Sequence, residues 1–197
     1  YETMHFMSWL SVVLTIIMAR RFRMALPFGL LLAGFTLLVA MLGEASPRIT
    51  QLMPVLQSPL LSIHVMVIML SYTLLAFIML NGITALILRL VRHDADQEIE
   101  YLYVTSRIML YPAVMLLAVG IFIGAIWANV SWGRYWGWDP KETWALITIL
   151  IYTLTTHVHL LKTRVPQWTF SFMSVVSFFS VLMTFLGVNH FLSGMHS

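Results

Sequence analysis

The chain has 197 residues, of which 60% are hydrophobic and 10% charged, with a mean hydropathy of +0.88. Soluble domains average about 25% charged residues, so a soluble globular fold is excluded and a polytopic membrane protein is indicated. The net charge of +3 does not point to nucleic acid, because the basic residues gather at the ends of apolar runs, as they do in membrane proteins that use charge to set orientation.

The first residue is Tyr1, and "YETMHFMSWL" carries neither a basic leader nor a small-residue cleavage site, so the sequence reads as a piece of a longer chain entered midway. Apolar segments at 4–19, 26–43, 59–90, 107–128, 142–161 and 168–188 predict an all-α transmembrane bundle of about six spans, forming a single domain over 1–197. The third segment exceeds what a bilayer needs and must tilt or project. Arg20, Arg21, Arg23, Arg89, Arg92, Arg107, Lys162 and Arg164 fall on one side of these spans, and Arg48, Arg134 and Lys141 on the other. The positive-inside rule makes the first set cytoplasmic. The N-terminus, the 44–58 connection, the 129–144 loop and the C-terminus then face outward.

That outer loop contains "WGRYWGWDPKETW", with four of the seven tryptophans. Asp139 at the N-cap, Pro140 at N1 and Glu142 at N3 spell a helix start, which accounts for these three residues structurally. Trp132, Trp136 and Trp138 are left over. They read either as an interfacial aromatic belt or as a rigid wall for a large planar ligand, and composition alone leaves both open.

Histidine separates the two. His93 and His5 read as bystanders at polar or interfacial positions. His64 lies about 7 Å down the third helix from Pro59 and shares its membrane depth with the Trp loop. His196, in the outward tail "GVNHFLSGMHS", is at a similar depth, with His190 as an alternative in the same tail. Two neutral imidazoles on opposite faces suit the axial positions of a haem iron. His157 lies about 25 Å down the fifth helix, past the middle of a bilayer. An ionisable group there is a functional candidate, although an interhelical hydrogen bond or snorkelling beside Lys162 would also explain it. His159, two residues on, points to nearly the opposite face, so the two cannot easily ligate one metal. No other span offers a histidine at that depth. The chain also has no cysteine, so any sulfur chemistry must come from a partner.

"WGRYWGWDPKETWALITILIY" resembles the WWD domain of the haem-handling membrane proteins of cytochrome c maturation, and most of all the CcsA (ResC) branch, which also occurs fused as the CcsBA synthase. "YETMHFMSW", "LQSPLLSIHV" and "GVNHFLSGMHS" resemble further stretches of that family, so the similarity covers most of the chain. The resemblance implies that His64 and His196 are the external axial ligands of haem b. It makes His157 an intramembrane ligand whose partner imidazole sits in a CcsB-like subunit or fused domain. Trp132, Trp136 and Trp138 would grip the macrocycle, with Asp139 setting the loop's shape. The implied function is delivery of haem to the outer face of a bacterial cytoplasmic membrane and its presentation to the Cys-x-x-Cys-His thiols of an apocytochrome c. A thiol-reducing partner is implied as well. The alternative is a CcmC-like carrier that passes haem to a chaperone without attaching it. A transporter of another planar solute and a ligand-free scaffold are further alternatives.

Overall fold

Backbone in a bilayer must close its hydrogen bonds internally, and every regular element among the described residues is a helix. The structure is a computed structural model describing residues 2–20, 22, 25–42, 58–92, 94–158 and 166–188. Among these described residues six helices follow in order: α1 (Glu2–Met18), α2 (Ala25–Leu42), α3 (Pro59–Val91), α4 (Asp96–Trp132), α5 (Pro140–Thr156) and α6 (Gln167–Leu182). The last continues into a π-helical turn, Met183–Gly187. The three elements Pro59–Val91, Asp96–Trp132 and Gln167–Gly187 are long and apolar enough to cross a membrane, while α1 and α2 are shorter apolar helices. The 17 residues of α5 span about 25 Å.

All six predicted segments are helical, and the main difference lies in α4. It begins at Asp96 rather than near 107, because "DQEIEYLYVTS" is amphipathic enough to be helical though too polar for a hydropathy window to detect. Asp96 and Glu98 in its first turn complement the positive end of the helix dipole. At 37 residues, about 55 Å, α4 is longer than a bilayer is thick and must project beyond it or tilt.

Helix α3 lies at the centre. Ser71 through Ile78 are buried without a break, the mark of a helix covered on every side. Its neighbours are fixed by polar contacts as well as apolar ones. The Ser71 hydroxyl donates to the Ala113 carbonyl at 2.8 Å, and Asn81 donates to Ser106 at 3.1 Å. These pairs run in opposite directions along α3 and α4, so the two are antiparallel. Thr148 shares a hydrogen bond with Thr184 at 2.9 Å, and Thr155 with Ser177 at 3.0 Å, so α5 and α6 are antiparallel too. Near the other end of α3, the Arg89 guanidinium lies 5.6 Å from the Trp168 ring centroid, which sets the start of α6 beside the end of α3. The starts of α3 and α5 and the ends of α4 and α6 therefore meet at one end of the bundle. Exposed apolar residues such as Leu30, Phe35 and Met41 on α2 and Met115 and Phe122 on α4 suit a lipid-facing exterior.

Small residues set the helix spacing. A Cβ on Gly82 would lie 2.9 Å from the Ser171 backbone oxygen of α6, whereas one on Gly34 would meet nothing within 4 Å. Gly82→Val is therefore expected to force α3 and α6 apart and cost about 1–3 kcal/mol as overpacking. Gly34→Ala is expected to leave the thermal midpoint unchanged or slightly raised. Melting both variants in detergent checks the pair, and equal midpoints would contradict the packing.

Candidate functional site

The aromatic loop is fixed at both ends by its own sequence. Gly133, at φ +72, closes α4 in the left-handed conformation, with its N–H donating to the Asn129 carbonyl at 2.9 Å. Asp139 then opens α5, accepting from the Lys141 N–H at 2.9 Å. The Glu142 carboxylate reaches back to accept from the N–H groups of Asp139 at 3.2 Å and Gly137 at 2.7 Å. This is the capping box read from the sequence, and Asp139 is buried in it. The box also constrains Trp138, whose φ of +57 is unfavourable for any residue with a Cβ. Gly137 has a different use: a Cβ there would sit 3.0 Å from Nε of Arg134, so glycine lets the guanidinium lie against the loop backbone.

Beneath the loop is a half-open cavity of about 300 Å³. The loop contributes Tyr135 and Trp136, and α4 contributes Trp127. Lys141 lines it from the first turn of α5, and Tyr72 and Thr184 lie deeper. His64 lines it from the second turn of α3.

The position of His64 is tightly determined. Its Nδ1 is 2.7 Å from the Gly120 carbonyl oxygen of α4. A carbonyl can only accept, so Nδ1 carries the proton and the lone pair belongs to Nε2, the tautomer of a histidine that binds metal through Nε2. Gly124 makes room for the ring, since a Cβ there would come within 2.7 Å of Cε1. Gly124 thus leaves a notch in α4 that the imidazole fills, and one turn earlier the bare Cα of Gly120 makes room for Ile68 of α3.

The other candidates separate. Trp136 lines the cavity with His64, and Trp138 packs edge-on against Trp136 with centroids 6.0 Å apart. Trp132 is the last residue of α4 and packs edge-on against the buried Trp127 at 6.4 Å. Trp132 and Trp138 are both exposed and do not line the cavity. His157 stands at the C-cap of α5, the end away from the cavity. It is exposed, and its Nδ1 lies 2.8 Å from the Thr153 carbonyl oxygen. His196, His190, His159 and His93 lie outside the described residues. Among the described residues no three or more His, Asp or Glu side chains gather as a metal cluster.

The sequence alone does not mark Trp127, Tyr135 or Gly124 as site residues, and it marks Lys141 only as an outward-facing charge. A signal for Gly124 was present: Gly120, Gly124 and Ala128 recur every four residues, the small-residue spacing that brings membrane helices together. Lys141 is partly buried. Burial pushes its ammonium below the usual lysine range, and the nearby Asp139 carboxylate offsets part of that effect.

The chain matches the family described as "Cytochrome C assembly protein" over residues 1–196. It is 41% identical over its whole length to Protein NrfI of Wolinella succinogenes, covering 22% of that protein. It is 33% identical to the cytochrome c biogenesis protein CcsA of Chlamydomonas reinhardtii, covering 59% of it. The figures for CcsA of Guillardia theta are 31% and 74%. The chain thus spans about a fifth of the first of these relatives and under two thirds of the second.

Loss of the cap should loosen the loop without touching the spans. Asp139→Ala is expected to cost about 0.5–2 kcal/mol locally, and Asp139→Asn much less, because an amide oxygen still accepts. Limited proteolysis between 133 and 139, with the red shift of tryptophan emission, reports the difference. Equal protection in both variants would argue against the capping role.

Proposed function

The chain belongs to the cytochrome c assembly protein family and is a membrane protein, and from that premise we propose that it presents haem b at the outer face of a bacterial cytoplasmic membrane for attachment to apocytochrome c. One observation carries the proposal. The described histidine predicted to meet the aromatic loop lines a cavity with Trp136 and Tyr135, and its Nδ1 donates to the Gly120 carbonyl, the tautomer of histidines that ligate through Nε2. An aromatic belt alone accounts for the tryptophans but supplies no reason for a notch cut to fit an imidazole.

In this proposal His64 supplies one axial nitrogen and His196 the other, with Trp136 packing on the macrocycle and Trp138 supporting it. Haem is the substrate here. The vinyl groups are the reacting positions: a cysteine thiol of the apocytochrome adds across each carbon–carbon double bond, its sulfur to one carbon and its hydrogen to the other. No atom is lost, and both sulfurs come from the apocytochrome. The chain's contribution is to hold haem in near-attack geometry, which converts an encounter of separate molecules into a positioned reaction. Imidazole ligation also tunes the iron, which thioether formation requires in its reduced state, hence the thiol-reducing partner.

His157 belongs to a second location. An exposed imidazole at the far end of α5 faces away from the chain's own core, which supports ligation shared with a histidine of a CcsB-like subunit or fused domain. The arginines Arg20, Arg89 and Arg92 support the orientation in which that end is cytoplasmic.

His64→Ala and His196→Ala, made separately, are expected each to weaken or shift the Soret band of the purified protein and to reduce haem attachment to a co-expressed apocytochrome c at least tenfold. Gly124→Leu should reproduce the His64 phenotype by filling the notch. A haem-loaded protein that attaches nothing in any background would favour the carrier alternative. Unchanged spectra in both histidine variants would overturn the ligand assignment.

A further inference from the structure

The cavity is not uniformly apolar. Of its described lining residues, Lys141 and Glu142 are the charged ones, and they sit side by side in the first turn of α5. Glu142 is committed to the loop, accepting from the N–H groups of Gly137 and Asp139. Asp139 is committed to the helix start through the Lys141 N–H. The Lys141 side chain lines the same space as His64, and the Asp139 carboxylate beside it favours its charged form. The first turn of a helix also carries the positive end of its dipole, which favours an anion at that point.

We propose that Lys141, with the N-terminal turn of α5, pairs a carboxylate of the ligand and so fixes which edge of the macrocycle enters the cavity. The assignment rests on the haem reading above and deepens it. Haem carries two propionates on one edge, and anchoring that edge at α5 leaves the vinyl-bearing side toward an incoming thiol. Partial burial strengthens such a pair relative to a surface one, and it already disfavours the lysine's charge when no anion is bound. Lys141 is then a positioning residue, selecting an orientation without touching the reacting carbons. Arg134, the other basic residue of this loop, is exposed and lies against Gly137 outside the cavity, so it serves as the control.

The test compares iron protoporphyrin IX with its dimethyl ester, in which both carboxylates are neutral. Each is titrated by its Soret band into the purified full chain and into its K141Q, K141R and R134Q variants. Wild type and R134Q are expected to bind the diacid more tightly than the ester. K141Q should weaken the diacid roughly tenfold while leaving the ester unchanged, and K141R should recover most of the preference. Equal weakening of both ligands by K141Q, or no effect on either, would overturn the role of Lys141 and leave the haem reading standing. If the wild type bound neither compound, the haem reading would fall and this assignment with it. Loss of the preference in R134Q alone would move the anion site to Arg134.

Discussion

The contact between His64 and the Gly120 carbonyl organises the end of this molecule that carries the aromatic loop. A polar side chain at the rim of a membrane bundle needs a partner, and here the partner is the backbone of the adjacent helix. The contact requires α3 and α4 to approach closely, and the absent side chains at Gly120 and Gly124 permit it. It also fixes the tautomer. The spacing of two helices, the position of a ring and the chemistry of its second nitrogen thus follow from a single carbonyl and two missing Cβ atoms. The same logic recurs deeper, where Ser71 and Asn81 of α3 find partners on α4 and hold it in register.

The loop has its own constraint. Its chain must leave α4, expose aromatic rings and enter α5 within seven residues, 133–139. Gly133 makes the exit and the capping box the entry. Between them Trp138 is forced into a left-handed conformation that a tryptophan disfavours, and the loop tolerates this because the box fixes the residues on either side. Local strain of this kind is usual where side chains must be aimed, and Trp138 packs edge-on against the ring that lines the cavity.

Much of this could be read before any coordinates. Apolar runs located all six helices because burial in lipid leaves a strong compositional signature, and Asp139, Pro140 and Glu142 announced the start of α5 through local hydrogen bonding alone. The start of α4 was misplaced because its first turns are polar yet helical, a case that hydropathy does not register. The three leftover tryptophans, read either as an interfacial belt or as one wall, are divided. Trp132 falls inside α4 and turns to Trp127, a partner five residues earlier, because its direction is set by the helix and not by the loop. The depth of His64 was legible by counting rise per residue. Its carbonyl partner was not, since which turn of α4 faces α3 depends on packing across 56 residues of sequence. Lys141 reads from the sequence as an outward-facing basic residue, and its place in the cavity depends on how the first turn of α5 meets the other helices.

The π-helical turn at Met183–Gly187 bears on how this end can vary. Thr184 and Phe185 reach the cavity from that wide turn, and the Met183 thioether folds across Gly187 where a larger residue would not fit. A π turn contains one residue more than the α-helix around it. Shortening the segment by a single residue would restore regular winding and leave the chain beyond it facing nearly as before, while the residues of the turn itself would be repointed. Chain length, independent of composition, is therefore a coordinate of this pocket: a one-residue deletion could repoint the wall while every side chain that builds it is still encoded.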